Sequence, residues 1–343
     1  MSILVTGSAG LVGYEISKYF LDIGEVVVGI DNDMRGKFFG ASGSNANKIN
    51  LLKKNKNYIH LNQDIRDLDF EKKVFNKYPD IETVVHTAAQ PSHDWARDNK
   101  LLDFDINARS TLRLLESTYS KKEDTKFIFI STNKVYGDTP NHFKYKEINK
   151  RFEIEEPEKY KLGFDTSLSI DNNLHSFFGV SKVSADLLVQ EFGKNYGYQT
   201  VALRGGCLTG ENHTGVKAHG FLNYLSLCFQ NNIEYTIEGY GGFQVRDNLH
   251  SLDVVGLIEA FRDNPSCGEA FNIGGGRKNS ISVLEAVDKF SEIYKKNIVV
   301  NFNNNPRLGD HMWWITDLRP LEKRFPGWKV NYDLDYILEN MAY

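Results

Sequence analysis

Cysteine and proline are scarce in this sequence, at 3 and 8 of 343 residues. Cys207, Cys228 and Cys267 are odd in number and scattered. They fit neither a disulfide framework nor a zinc site and read as reduced thiols. No apolar run approaches the roughly 20 residues of a membrane span, so no membrane partner is expected. No basic leader or cleavage site precedes the apolar start at Ile3, Leu4 and Val5. No signal peptide is therefore expected, and the location is expected to be cytoplasmic. An excess of one charge is also missing. The 41 basic residues face 45 acidic ones, a net charge of −4, which argues against a nucleic-acid binder with its basic stripe. Repeats and low-complexity tracts are absent. With a mean hydropathy of −0.42, disorder, collagen, coiled coil and small secreted scaffolds are excluded.

What is present is alternation. Apolar runs at residues 3–5, 26–30, 58–61, 84–86 and 127–130 are separated by segments with helical spacing, such as Leu101, Phe104, Ala108, Leu112 and Leu115. A helix over 179–192 and a strand over 200–203 follow. Continuous apolar strands alternating with helices predict an α/β fold, a doubly wound parallel sheet covered on both faces. Beyond about Gly210 the rhythm changes. Helices near 220–230 and 283–294 and short strands at 235–237, 270–273 and 298–302 predict a smaller, interleaved α+β unit. Residues 138–175 are rich in Lys and Glu, and they read as a long functional loop without periodicity.

The first strand ends in Thr6-Gly7-Ser8-Ala9-Gly10-Leu11-Val12-Gly13. In isolation this pattern marks a turn with a packing glycine. Between a strand and a helix it cradles a diphosphate, because glycines admit the close approach and the helix start offers unpaired N–H groups. A second strand ends in Asp31, 18 residues beyond Gly13. A carboxylate there accepts ribose hydroxyls and repels a 2′-phosphate, which favours NAD over NADP. Arg35 and Lys37 read as solvated loop charges.

These motifs carry a resemblance. Gly7/Gly10/Gly13, Asp31, Asp64-Ile65, His86-Thr87-Ala88-Ala89-Gln90, Asn107, Ser131-Thr132 and Val135-Tyr136-Gly137 lie in one order. Arg246-Asp247-Asn248-Leu249-His250 with Asp253, Phe271-Asn272-Ile273-Gly274-Gly275, Arg307-Leu308-Gly309-Asp310, Asp317 and Gly327-Trp328 continue it. Together they resemble the extended short-chain dehydrogenase/reductase family, which includes nucleotide-sugar epimerases and dehydratases, over essentially the whole chain. The resemblance implies a Rossmann-type domain that binds NAD through Gly7, Gly10, Leu11, Val12, Gly13, Asp31, Asn32, Asp64, Ile65, Ala88, Ala89, Gln90, Asn107 and Lys182. It implies Arg246 and Arg307 on a substrate diphosphate, which suits the guanidinium fork.

Two departures stand out. The family's Tyr-x-x-x-Lys signature is Phe178-Gly179-Val180-Ser181-Lys182 here. A benzyl group cannot transfer a proton. Three readings stay open: an engineered Tyr-to-Phe variant, a natural enzyme with another base, or a binding protein without turnover. Thr132, Lys134 and His175, placed one helical turn before Phe178, are the candidate substitutes. Secondly, 4,6-dehydratases carry Asp-Glu after the Thr, where this chain has Asn133-Lys134. That argues against elimination by the usual acid–base pair. The segment Ser131 to Asp138, the 42-residue gap from Tyr136 to Phe178, His175-Ser176 and Gln244-Val245-Arg246-Asp247 resemble the CDP-tyvelose (CDP-paratose) 2-epimerases. A flap over the sugar is expected from the long gap.

The resemblance thus implies an isomerase: transient oxidation at C2 of a nucleotide sugar, CDP-hexose favoured, and re-reduction on the other face. Thr132, Phe178 and Lys182 occupy the catalytic positions. Gln90, Asn133, Lys134, His175, Cys207, Arg246 and Arg307 are assigned to the substrate, and no metal is expected. Residues 1–207 and 246–268 are expected to bind NAD, and 208–245 and 269–343 the nucleotide sugar. The alternatives are another NAD-linked nucleotide-sugar oxidoreductase or a protein that only binds. Met312, Trp313 and Trp314 are expected to pack, and Trp95 is placed within reach of the sugar. A homodimer through helices at 103–118 and 179–192, and a role in lipopolysaccharide precursor synthesis, complete the expectations.

Overall fold

A computed structural model describes residues 1–121, 124–213 and 220–342. They fall into two compact units. The first comprises Met1–Val135, Phe177–Arg204 and Val254–Phe271; the second comprises Tyr136–Ser176, Gly205–Asp253 and Asn272–Tyr343.

The apolar runs of the first unit form the expected parallel sheet. Ser2–Thr6 is buried throughout and pairs in parallel with Val26–Ile30 on one side and Ile81–His86 on the other. Tyr58–Leu61 extends one edge. Lys126–Thr132, Thr200–Gly205 and Glu269–Ile273 follow in order on the other side. The chain begins mid-sheet, runs to one edge and then returns to build the opposite half. Strand order therefore reverses between Ser2–Thr6 and Ile81–His86. Loops diverge at such a switch point and leave a crevice at the carboxyl ends of the strands. The glycine turn after Thr6 and the loop after His86 both emerge there.

Leu4, Val28, Val84, Phe127 and Phe129 pack with Leu114, Leu115, Ala185 and Val189 in one core. The helix Phe177–Tyr196 buries Phe178, Ser181, Lys182, Ala185, Asp186, Val189 and Gly193, a stripe at helical spacing. Three members of that stripe are polar or charged and must find partners inside. The helix expected over 103–118 is present and carries a π segment. Lys100–Phe104 and Ser110–Lys121 flank a widened π turn, Asp105–Arg109.

In the second unit Val245–His250 is the central strand. Ser280–Ser282 lies antiparallel to it, with Trp313–Trp314 and Cys207–Thr209 parallel. Tyr235–Glu238 pairs with Val300–Asn303. Leu225, Phe229, Ile237, Ala286, Phe290 and Leu338 form its core. Trp313 and Trp314 are fully buried, as packing residues.

The structure differs from the sequence reading at residues 138–175. They are not one irregular loop. Lys144–Ile148 and Arg151–Glu156 form a hairpin through Asn149 at φ 56°. Phe152 and Ile154 alternate into the interior, and Phe164 is fully buried. Arg151 donates to Ser280 Oγ at 2.7 Å, and Ser282 Oγ donates to the Lys150 carbonyl at 2.6 Å. These bonds and burials group 136–176 with the second unit, as they do 246–253 through the central strand, whereas the sequence reading placed both stretches in the first domain.

Candidate active site

The glycine turn is sterically closed to any larger residue. Gly7 holds φ +68°, and a Cβ there would stand 2.8 Å from the Ala88 amide nitrogen. A Cβ on Gly13 would stand 2.1 Å from the Gly7 carbonyl oxygen. Gly7 N–H donates to the Ile30 carbonyl at 2.7 Å, which ties the turn to the second strand. Gly10 precedes the helix Leu11–Asp22 without a side-chain cap. The first-turn N–H groups of Leu11, Val12 and Gly13 thus have no intrahelical acceptor and suit an anion.

Asp31 stands beside this turn. Its carboxylate accepts from Ala9 N–H at 2.9 Å and Asp33 N–H at 2.8 Å. Burial raises its pKa, against those two bonds. Asn32 donates to Asp64 at 3.1 Å, and Asp64 takes three bonds from Arg66, one from its backbone N–H at 2.9 Å and two from its guanidinium at 2.8 and 2.6 Å. Burial works to raise Asp64, but the Arg66 bonds hold it below the ordinary carboxylate value. Ile65 is a core residue. Lys37 is exposed as expected, but Arg35 is not a solvated charge. It is half-buried with its guanidinium over the Phe39 ring at 4.8 Å. Burial first, and then Arg35, push nearby Lys48 down to about 8.

The loop after His86 is half-buried up to Gln90. Ala88 N–H donates to Thr6 Oγ1 at 3.2 Å, and Ala89 follows it. Gln90 is fully buried. Its Nε2 donates to the Ser92 carbonyl and to Asp103 Oδ1, each at 2.8 Å, and its Oε1 accepts from Ser92 N–H. Both amide hydrogens are thus spent inside the protein, and the side chain acts as scaffold. Asn107, on the π turn, accepts from Gln90 N–H at 2.9 Å and donates to the Gln90 carbonyl, Asp103 and Ser181 Oγ at 3.0–3.1 Å.

Lys182 is 3% exposed. Its Nζ donates to the Ile130 carbonyl at 2.9 Å and lies 4.1 Å from the Phe129 ring centroid. Burial pushes it down to about 7, with Asp186 and Asp103 opposing. His86 is fully buried between Thr6 and Thr111 hydroxyls, and burial together with the Lys182 charge pushes it down to about 3. Thr132 ends its strand half-buried, its Oγ1 accepting from Lys134 N–H at 3.3 Å. Asn133 is buried and Lys134 half-buried on the following turn, Asn133–Tyr136. Phe178 is 6% exposed. Its ring meets the His93 imidazole edge-on, with centroids 4.9 Å apart. The sequence reading named neither His93 nor the buried cluster behind the helix. In that cluster Asp186 accepts from Arg204 at 3.0 and 2.7 Å and from Ser131 Oγ at 2.5 Å. Trp95 packs on Phe38 at 4.7 Å.

In the second unit Arg246 is nearly buried and donates to Asp310 at 3.3 Å. Asp310 N–H closes a turn onto the Arg307 carbonyl at 3.1 Å. One turn therefore joins the two arginines, and Arg307 is half-buried within electrostatic reach of Tyr235. Asp247 is structural. Burial raises it to about 6, and it accepts from Thr316 and Gly276 N–H at 2.9 and 3.0 Å. Cys207 is half-buried on its short strand. His175 is half-buried but not one helical turn from Phe178, because the helix starts only at Phe177.

A model of the NAD dependent epimerase/dehydratase family matches residues 3–274. The chain belongs to that family. It is 32% identical over 331 residues to CDP-paratose 2-epimerase of Salmonella typhi, covering 94% of this chain and 92% of that protein. It is 26% identical over 309 residues to dTDP-glucose 4,6-dehydratase of Escherichia coli, covering 86% and 78%. A solved UDP-glucuronic acid 4-epimerase from Bacillus cereus, in complex with UDP-glucuronic acid and NAD, is 26% identical with a TM-score of 0.80, covering 100% of this chain and 98% of that one.

The cofactor of this family member is NAD, and the first unit fits it. The closed glycine turn, the uncapped helix start and the Asp31 carboxylate are the parts a dinucleotide needs. Among the described residues no helix is long and apolar enough to cross a membrane.

Proposed function

We propose that this epimerase inverts C2 of a nucleotide diphosphate sugar, with a CDP-hexose as the favoured substrate, in the manner of a CDP-paratose 2-epimerase. The observation that carries the reading is Asn133-Lys134 directly after Thr132. Elimination at a sugar needs an acid for the leaving hydroxyl and a base for the neighbouring carbon. Neither an amide nor an ammonium supplies that pair. Inversion through a keto sugar needs only one proton acceptor, at the hydroxyl. The relationship to the Salmonella protein supports the same choice.

NAD, when bound, supplies reversible hydride acceptance. The chain's own residues do the rest. Gly7, Gly10, Leu11, Val12 and Gly13 would hold the dinucleotide diphosphate, and Asp31 the adenosine ribose. Lys182 would hold the nicotinamide ribose and place a positive charge beside the reacting oxygen. Thr132 would hydrogen-bond that oxygen. Arg246 and Arg307 would clamp the substrate diphosphate, whose binding energy keeps the sugar captive while it turns. Asn133, Lys134, His175 and Cys207 are assigned to the sugar side. The first unit would thus be the NAD-binding part and the second the nucleotide-sugar-binding part. A cytoplasmic homodimer working in lipopolysaccharide precursor synthesis fits this reading.

Proton NMR with CDP-, UDP-, GDP- and dTDP-hexoses in heavy water tests it. A new epimer without deuterium at the inverted carbon is the expected result. Deuterium in the product would mean carbon deprotonation and would overturn the reading. Stoichiometric accumulation of reduced cofactor would mean net oxidation. Binding without product would favour the reading that Phe178 motivates, a protein without turnover.

A further inference from the structure

A hydroxyl oxidised to a carbonyl must lose its proton to some group, and Phe178 offers none. Lys182 Nζ donates to the Ile130 carbonyl at 2.9 Å, and in the reading above it carries the positive charge beside the reacting oxygen, so it does not keep the proton. A threonine hydroxyl is too weak a base to keep the proton. An imidazole touches the ring that replaces the family phenol. It belongs to His93, whose ring centroid lies 4.9 Å from that of Phe178 at an interplanar angle of 69°.

We propose that His93 is the catalytic acid–base of this protein, in place of a tyrosine at position 178. The assignment rests on the epimerase reading above. Beyond the contact, it stands on how firmly the imidazole is placed. Ser92 caps the helix His93–Asp98, its Oγ accepting from Trp95 N–H at 3.2 Å. Both backbone groups of Ser92 are bound by the Gln90 side chain. Gln90 is bound through both its backbone groups to Asn107. Asn107 donates to Ser181 Oγ, and Ser181 Oγ donates to the Phe178 carbonyl, each at 3.0 Å. An unbroken chain of hydrogen bonds thus runs from the residue before His93 to Phe178 itself. The loop and the helix are locked to each other, as general acid–base geometry demands.

The chemistry balances. The neutral imidazole nitrogen takes the C2 hydroxyl proton. The O–H electron pair would become the π bond of the carbonyl as the C2 hydrogen leaves with its bonding pair as hydride, for which NAD, when bound, would supply the acceptor. When hydride returns to the opposite face, the imidazolium gives the proton back to the oxygen. Imidazole is suited to this task near neutrality, where it changes charge without perturbation.

The test uses the full chain with NAD bound and the four nucleotide sugars as probes. His93→Asn is expected to lower kcat by about a hundredfold or more, within the ~10²–10⁴-fold of a general acid–base, with much less change in KM. His93→Gln is run beside it as a second variant. Wild-type kcat is expected to depend on pH through His93 and also through Lys182, which burial pushes down to about 7, and both variants are expected to keep only the Lys182 dependence. Phe178→Tyr placed in the His93→Asn background is expected to restore activity with the pH dependence moved. Independently of turnover, ¹⁵N-histidine-labelled protein must show the His93 ring titrating between about pH 5 and 8.

An unchanged kcat and pH dependence in the His93 variants would overturn the assignment and leave the epimerase reading standing. So would a ring that stays in one charge state. Activity in Phe178→Tyr but none in the wild type would overturn it too, since Phe178 would then mark a lost base. No turnover in either protein would overturn both readings together.

Discussion

The buried Lys182 carries a cost that depends on pH and can be measured. Burial pushes its ammonium from 10.5 to about 7 in the folded protein. In the unfolded chain it titrates near its ordinary value of about 10.4. Between about pH 7 and 10.4 the unfolded chain therefore binds a proton that the folded one does not, and stability rises with pH across that window. Below about pH 7 both states are charged, and the folded state bears the whole penalty. A displacement from 10.5 to about 7 corresponds to about 5 kcal/mol, reduced in practice by relaxation and water entry. Lys182→Met keeps the apolar stem and removes the charge. It also loses the bond to the Ile130 carbonyl, worth about 1 kcal/mol at every pH. Urea unfolding of the NAD-free proteins is expected to show the variant more stable by about 2–4 kcal/mol at pH 6. The gap should close, or reverse slightly, by about pH 10. A ¹³Cε-lysine titration of the wild type should place the Lys182 midpoint close to 7. A stability difference that does not change with pH would refute the reasoning, because it would mean the ammonium stays charged inside the fold.

Three further outcomes are expected. Gly13→Ala forces a Cβ to 2.1 Å from the Gly7 oxygen; it should cost about 1–3 kcal/mol of stability and abolish NAD binding by calorimetry. Asp186→Asn leaves the Arg204 guanidinium, 6% exposed, without its carboxylate; a loss of about 3–5 kcal/mol is expected on denaturation, and the Lys182 midpoint should fall further because an opposing charge is gone. Arg246→Lys replaces a fork with a point charge; binding of the nucleotide sugar should weaken about tenfold, or about 1.4 kcal/mol, with NAD affinity unchanged. Equal losses for both ligands would place Arg246 in a purely structural role.

The parallel sheet was legible because its strands are buried on both faces, which leaves continuous apolar runs such as Val26–Ile30 that no solvent-facing strand would show. The glycine turn was legible for a related reason. Gly7 and Gly13 are dictated by backbone atoms only angstroms away, and such constraints act on single positions. The hairpin over residues 144–156 was hidden by its outward Lys and Glu. Its signal was the alternation of Phe152 and Ile154 with Glu153 and Glu155, which is short enough to pass for chance.

Polar residues were harder, because a sequence states what a side chain can bond and not what it does bond. Gln90 sits in a motif that implies ligand contact, yet its amide is consumed by Ser92 and Asp103. His175 looked like a helical neighbour of Phe178 because it is three residues away, but the helix starts at Phe177 and leaves His175 outside it. His93 is 85 residues away and is the imidazole against the ring. What joins them is the chain of amides and hydroxyls through Gln90, Asn107 and Ser181, each an ordinary polar residue when read singly. A substitution that removes a reactive group, as Phe178 does, therefore turns the search away from sequence neighbours. It points to whatever the surrounding hydrogen bonds hold rigidly against the vacated function.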